Sequence, residues 1–157
     1  MPIMDYREYM TPELGKGKNA SYHEGHADTG AAGADIQWGL AVQLSASNPN
    51  QVIPYDGTGN FQGVAMANHY AETRLSDVSQ FIDGHYVASD AVSYLRRGSI
   101  FVEVEEDVIK GDNAVIDKTT ANFRPATTTI TTVSGVIGSF KSSAAAGNLA
   151  ELEINLP

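Results

Sequence analysis

The chain has 157 residues, a formal net charge of −9, 42% hydrophobic and 18% charged residues, and no cysteine. That length fits one domain with one core, and the apolar content argues against global disorder. The acidity repels phosphate and speaks against direct nucleic-acid binding, while the lack of cysteine removes disulfide frameworks, thiolate zinc sites and cysteine nucleophiles together.

No apolar run reaches the about 18 residues that would suggest a membrane span. The N-terminal stretch, with Asp5, Arg7 and Glu8, lacks the basic start and apolar core of a signal peptide. The expectation is a protein made and kept in the cytosol, or in something assembled there. Residues 1–37 carry Pro2, Pro12 and several glycines, and their apolar residues (Ile3, Tyr6, Tyr9, Met10, Leu14, Tyr22) show no sustained period of 2 or 3.6. Such a segment cannot bury its own side chains. It reads as an extended arm that docks on a neighbour's surface, or else as a disordered tail with chance hydrophobics. The division expected is an arm over 1–37 and a β domain over 38–157.

From Trp38 onward the pattern is short strands and turns. Trp38, Leu40, Val42 and Leu44 alternate with small or polar residues, and a turn-rich stretch, Ser45 to Asn50, follows. Val52 to Tyr55 is a short strand. Gly57-Thr58-Gly59-Asn60 lacks the lysine ending of a phosphate loop and precedes a strand, so it reads as a hairpin connection. Phe61 to Ala67 is a strand whose Gly63 suggests a bulge or a close backbone approach. His69 to Asp83 is the least strand-like piece and is read as a loop with a helical turn.

Tyr86 to Ala88, Ala91 to Leu95 and Ser99 to Val104 read as strands, with Arg96-Arg97-Gly98 between the last two. A turn at Val108 to Asp112 leads into Asn113 to Ile116. Thr127 to Thr132 is almost wholly β-branched, which favours extended structure, and Val136 to Phe140 is a further strand. In the last strand Ala150, Leu152, Ile154 and Leu156 point inward, while Glu151, Glu153 and Asn155 point to water. The fold class expected is all-β: a compact β-sandwich or β-barrel-like domain of about eight to nine short strands, preceded by an extended N-terminal arm.

Signs of chemistry are sparse. His23-Glu24-Gly25-His26, near Asp28, offers metal-ligand residue types. Its spacing is one residue short of His-Glu-x-x-His, and the glycines oppose the helix that pattern needs. A solvated polar stretch is the simpler reading, and no metal site is assigned. His85 beside a turn, and His69, have no evident partners; no Gly-x-Ser-x-Gly nucleophile elbow occurs. Glu103, Glu105, Glu106 and Asp107 lack the spaced ligands of a calcium loop and read as a solvated strand end. Arg96 and Arg97 stand out in an acidic chain. By spacing they fit exposed turn residues and an interface pair suited to bidentate carboxylates equally well. No catalytic residue and no cofactor is assigned.

Several stretches in order carry a resemblance: Gly39-Leu40-Ala41-Val42; Phe61-Gln62-Gly63-Val64-Ala65; Ala91 to Val104, including Leu95-Arg96-Arg97-Gly98; Ile109-Lys110-Gly111-Asp112; and Ser143 to Pro157, with its Ala-Ala-Ala-Gly and Leu-Pro ending. Together they resemble the structural cement, or capsid decoration, proteins of tailed phages over residues 38–157. The first 35 residues and Ala71 to Phe81 are not covered by the likeness. The resemblance implies an all-β protein on the outer surface of the phage head, placed at subunit junctions and stabilising the shell. It implies the major capsid protein as partner, self-association as a trimer in preference to a dimer, no cofactor, no reaction, and no nucleic-acid or membrane partner.

On this view Tyr6, Tyr9, Met10 and Tyr22 are expected at an interface, because aromatic residues and methionine are enriched there. Arg96 and Arg97 are expected to bridge subunits. Two rivals stand beside it. One is a carbohydrate-binding or adhesion module using Trp38 and the tyrosines, weakened because Trp38 falls in register with inward-facing Leu40 and Val42. The other is a small hydrolase using His85 or the 103–107 carboxylates, for which no convergent constellation can be named.

Overall fold

A computed structural model describes residues 16–20, 25–67 and 84–157. Among these residues the chain forms no helix and eleven strands: β1 (His26–Ala32), β2 (Ile36–Gln37), β3 (Ala41–Leu44), β4 (Gln51–Pro54), β5 (Phe61–Ala65), β6 (His85–Tyr86), β7 (Ala91–Glu103), β8 (Asn113–Ile116), β9 (Phe123–Pro125), β10 (Gly138–Phe140) and β11 (Leu149–Asn155). Nine of them make one sheet in the order β1-β4-β3-β5-β7-β11-β10-β8-β9, and β2 pairs with β6 separately.

The large sheet closes on itself. β1 pairs in parallel with β4 and antiparallel with β7, so β1, β4, β3, β5 and β7 form a ring. Leu95 of β7 is opposite both Ala27 of β1 and Val64 of β5, and Arg97 is opposite both His26 of β1 and Asn155 of β11. A strand has only two edges for pairing, so β5 and β11 follow one another along one edge of β7 while β1 takes the other. Just past β7, Val104 bridges Phe123 in parallel and the Glu105 N–H donates to the Phe123 carbonyl. That contact returns β9 to β7, and β11, β10, β8 and β9 complete a second ring. The all-β, barrel-like class read from the sequence is the class observed.

Each ring has its own core. Ile36, Val42, Val52, Tyr86, Val92 and Tyr94 pack together in the first. Ile100, Ile116, Phe123, Phe140, Leu152 and Ile154 lead the larger cluster in the second. Neighbouring residues of β3 and β7 divide between the two: Ala41 and Leu95 join the larger cluster, Val42 and Tyr94 the smaller. These strands are covered on both faces. The alternation expected from Trp38 to Leu44 is therefore not an in-and-out pattern; Ala41, Val42 and Gln43 are all 0% exposed, while Trp38 is half-buried against the first core. The last strand does alternate, because only its inner face is covered: Ala150, Leu152 and Ile154 are buried and Glu153 and Asn155 exposed.

Several local expectations change. The Arg96-Arg97-Gly98 turn is the interior of β7, one continuous strand of 13 residues. Gly98 takes φ of +125°, a backbone conformation that side-chain-bearing residues rarely adopt. Strand pairing begins before Trp38, because β1 and β2 lie inside the segment read as an arm. Lys18 and Ala20 already bond β7, the Ala20 N–H donating to Ser99 O at 3.0 Å and the Phe101 N–H to Lys18 O at 2.9 Å. Residues 57–60 are not a hairpin turn: β4 and β5 flank β3 on opposite sides, so the connection crosses over it. Thr127 to Thr132 forms no strand; it buries neither face, and its β-branched residues lie along an exposed loop. The helical turn expected within His69 to Asp83 lies outside the described residues.

Gly63 has both features its sequence position suggested. It sits where the β3–β5 register shifts, and a Cβ there would stand 2.3 Å from the Leu95 carbonyl oxygen. Backbone cannot retreat from that contact without breaking the ring. Gly63→Ala is expected to cost roughly 1–3 kcal/mol, the usual scale of forced overpacking. Urea unfolding checks this: a midpoint equal to wild type would contradict the close approach.

Candidate docking surface

The two arginines of β7 are brought together but differently used. Arg96 is largely inward, its side chain 17% exposed, with Nε 3.5 Å from Asp28 Oδ2 of β1. Its Nη1 donates to Gln62 Oε1 of β5 at 2.8 Å and its Nη2 to Pro157 O at 2.9 Å. Arg96 thus ties β1, β5 and the segment after β11 around one guanidinium. Arg97 follows it at the register shift between β1 and β7. It is exposed, and its Nε donates to Leu156 O at 3.1 Å. Tyr6, Tyr9, Met10 and Tyr22 lie outside the described residues.

A second arginine cluster was not anticipated. Arg124 of β9, 14% exposed, sits among three carboxylates: Asp117 at 2.9 Å, Glu106 at 2.6 Å and Glu105 at 2.8 Å. Glu105 Oε2 is close in charge but is not aligned for a hydrogen bond. Burial alone would raise the Asp117 pKa; the Thr119 N–H and Arg124 outweigh it and hold it below the ordinary carboxylate range. Burial likewise works against the charged guanidinium, and the carboxylates prevail, raising the Arg124 pKa. Glu106 also accepts from Thr128 Oγ1 at 2.5 Å, which fastens the start of the exposed loop after β9. The run read as a solvated strand end is therefore divided: Glu105 and Glu106 serve Arg124, whereas Asp107 is exposed and accepts the Ala146 N–H at 2.8 Å. The available signal was Arg124 itself, an arginine flanked by Phe123 and Pro125, both buried.

The crossover loop has its own anchor. Gln43, fully buried in β3, donates to Asp56 Oδ1 and Thr58 Oγ1, both at 2.9 Å, and accepts from the Asp56 and Gly59 N–H groups at 3.2 and 3.3 Å. Its amide meets no desolvation cost left unpaid, as burial of a polar group demands. Asp56 also caps Thr58, and these bonds, led by the Thr58 hydroxyl, hold its carboxyl below the usual range.

Of the histidine cluster, His23 and Glu24 lie outside the described residues. His26 opens β1, exposed, with Nε2 3.3 Å from Asp28 Oδ1. His85 lies in β6 opposite Gln37. Among the described residues no three histidine, aspartate or glutamate side chains are grouped to hold a metal ion. Trp38 rests on the first core with its indole nitrogen buried, so it forms no open aromatic platform. Among the described residues the large hydrophobic side chains that are exposed are Ile109, Ile130 and Val136.

The described residues thus form a closed double ring whose surface loops are anchored by hydrogen bonds and ion pairs. This fold is shared with a chain of a solved assembly described as the capsid of Myoviridae phage XM1, at a TM-score of 0.70, with 15% identity over 90% of each chain. It is also shared with the N base of head fiber gp8.5 of bacteriophage phi29, at a TM-score of 0.51, with 14% identity over 84% of this chain and 95% of that one. No curated protein matches the sequence. The model of the structural cement protein family (E217 gp24/Pam3 gp6) matches residues 4–155, and the chain belongs to that family. It is a capsid decoration protein that binds and stabilises the phage head. The match extends the likeness across the leader and the 71–81 segment, which the quoted stretches had left uncovered.

Arg124→Met should destabilise the protein by roughly 3–5 kcal/mol at neutral pH, since three carboxylates lose their common partner. In the wild type Asp117 is held below its unfolded pKa, so its contribution is full above the unfolded value and is lost as pH falls through the folded one. In the variant Asp117 keeps the Thr119 N–H but loses the arginine, so this acid-side loss of stability should shrink. Thermal melts of both proteins across pH check this; parallel curves would contradict it.

Proposed function

We propose that this protein acts without catalysis, binding the outer surface of the phage head at junctions between major capsid subunits, as a homo-oligomer with a trimer favoured. The leader, with Tyr6, Tyr9, Met10 and Tyr22, supplies the grip, and the double ring supplies the platform. The observation that carries this reading is the extent of the family match. It begins at residue 4, which supports reading the leader together with the rings as one module. The physics agrees. A protein that binds only the assembled seam stabilises it by mass action, and many copies act together through multivalency. Net charge of −9 leaves neither nucleic acid nor an anionic membrane as a favoured partner.

The geometry divides the work of the arginine pair. Arg96 spends its donors inside the chain and serves as a positioning residue. Arg97, exposed on β7, presents its remaining donors for a carboxylate of the shell or of a neighbouring copy.

Cosedimentation with heads lacking this protein tests both parts. Substituting Tyr6, Tyr9, Met10 and Tyr22 with alanine should reduce binding at least tenfold, the loss of one or two interface anchors, with unchanged melting. Arg97→Ala should weaken binding a few-fold in low salt and hardly at all in high salt, as a screened surface pair would. Retained binding by the aromatic variant would refute the role given to the leader.

A further inference from the structure

The loop from Ala126 to Ile137, between β9 and β10, combines features that solvated loops rarely share. Between Arg124 and Lys141 the sequence contains no charged residue, in a chain of net charge −9. The loop is exposed over most of its length, and two of the large exposed hydrophobics, Ile130 at 37% and Val136 at 59%, belong to it. It carries threonine, isoleucine and valine where exposed loops usually carry glycine, proline, asparagine or charge. Those β-branched side chains are stiff at χ1 and lose little freedom on contact.

The loop is also held in place. Thr128 bonds Glu106 in the Arg124 cluster. The Lys118 N–H donates to Thr132 O at 2.9 Å, and Ser134 exchanges bonds with Ile116 through its N–H and its hydroxyl oxygen, both at 2.9 Å. A surface fixed beforehand pays little to order itself on binding. Depletion of charge with retained apolar and hydroxyl groups is the composition of an interface core.

Resting on the decoration reading above, we propose that this loop is the surface through which copies of this chain meet one another. The charge chooses the occupant. A shell partner could use any face of this protein by presenting the opposite sign. A second copy carries the same −9, so its closest approach is least opposed where neither copy presents charge. The loop contributes no charge of its own to such a face.

Sedimentation velocity and light scattering on the full-length protein test this, with circular dichroism to verify folding. Wild type should self-associate with concentration, and more strongly in about 1 M salt, where residual like-charge repulsion is screened to a few ångströms. Ile130→Glu with Val136→Glu should weaken association at least tenfold. Ala46→Glu with Ala88→Glu, which adds the same charge at exposed positions of the first ring, should leave association nearly as in wild type. A wild type that stays monomeric, a loop variant that associates normally, or a control pair that dissociates equally would each overturn the proposal. Cosedimentation of the loop variant with heads separates the two readings: lost shell binding with normal self-association would assign the loop to the shell, leaving the decoration role intact.

Discussion

Pairing along both edges of β7 is the constraint on which the rest of the structure depends. β1 occupies one edge, and β5 and then β11 the other, so neither ring closes without it. Its two faces serve two cores, Tyr94 entering one and Leu95 the other. Two consequences follow physically. The contacts that define the fold join residues far apart in sequence, such as Gly30 with Val92 and Ala150 with Val102, so closure waits on long loops and folding is expected to be slow for the chain's size. Closure also leaves little open strand edge among the described residues, which removes the templates on which sheet proteins aggregate. A protein that works at high local density on a shell benefits from that.

Electrostatics is arranged to the same end. Lys16 pairs with Glu103, Arg96 with Asp28, Arg124 with three carboxylates and Lys141 with Glu153. Several of the basic side chains are thus spent within the chain, and the negative excess is left to the surface. The exposed pairs add little to stability. Arg124 is different because it is shielded: it joins the segment after β7 to both strands of the β8–β9 hairpin at its connecting loop, where the second ring closes.

The parts of the fold legible in the sequence were those fixed by near neighbours. β11 shows its alternation because one face is wet. The Val108 to Asp112 turn shows because Asp112 bonds its own loop, accepting the Ile109 N–H at 2.9 Å. Gly63 announced a close approach without saying to what. What stayed hidden was set by distant residues. β3 lost its alternation because a second core covers its outer face. Arg96-Arg97-Gly98 read as a turn because nothing local shows that β1 and β11 pair across it. The threonine run read as a strand from propensity alone, with no partner edge to receive it. Gln43 looked like the polar half of an alternating strand, whereas its partners come from the crossover loop. The site was less legible than the fold: Arg124 gathers carboxylates from positions 105, 106 and 117, a constellation without any sequence spacing to betray it.

A cement protein is loaded between the places where it grips, so how those places connect through the fold matters as much as what they touch. Residues 16–20 enter along β7, with Gly17 and Ala20 bonded to Phe101 and Ser99. The loop after β9 is fastened through Arg124 and β8, and β8 leads back through β10 and β11 to β7. On the proposed assignments, force applied at the leader and resisted at the loop is shared between these antiparallel interfaces and the closing contact of Val104 with Phe123. On those assignments the double closure around β7 ties the two grips together through one hydrogen-bonded body.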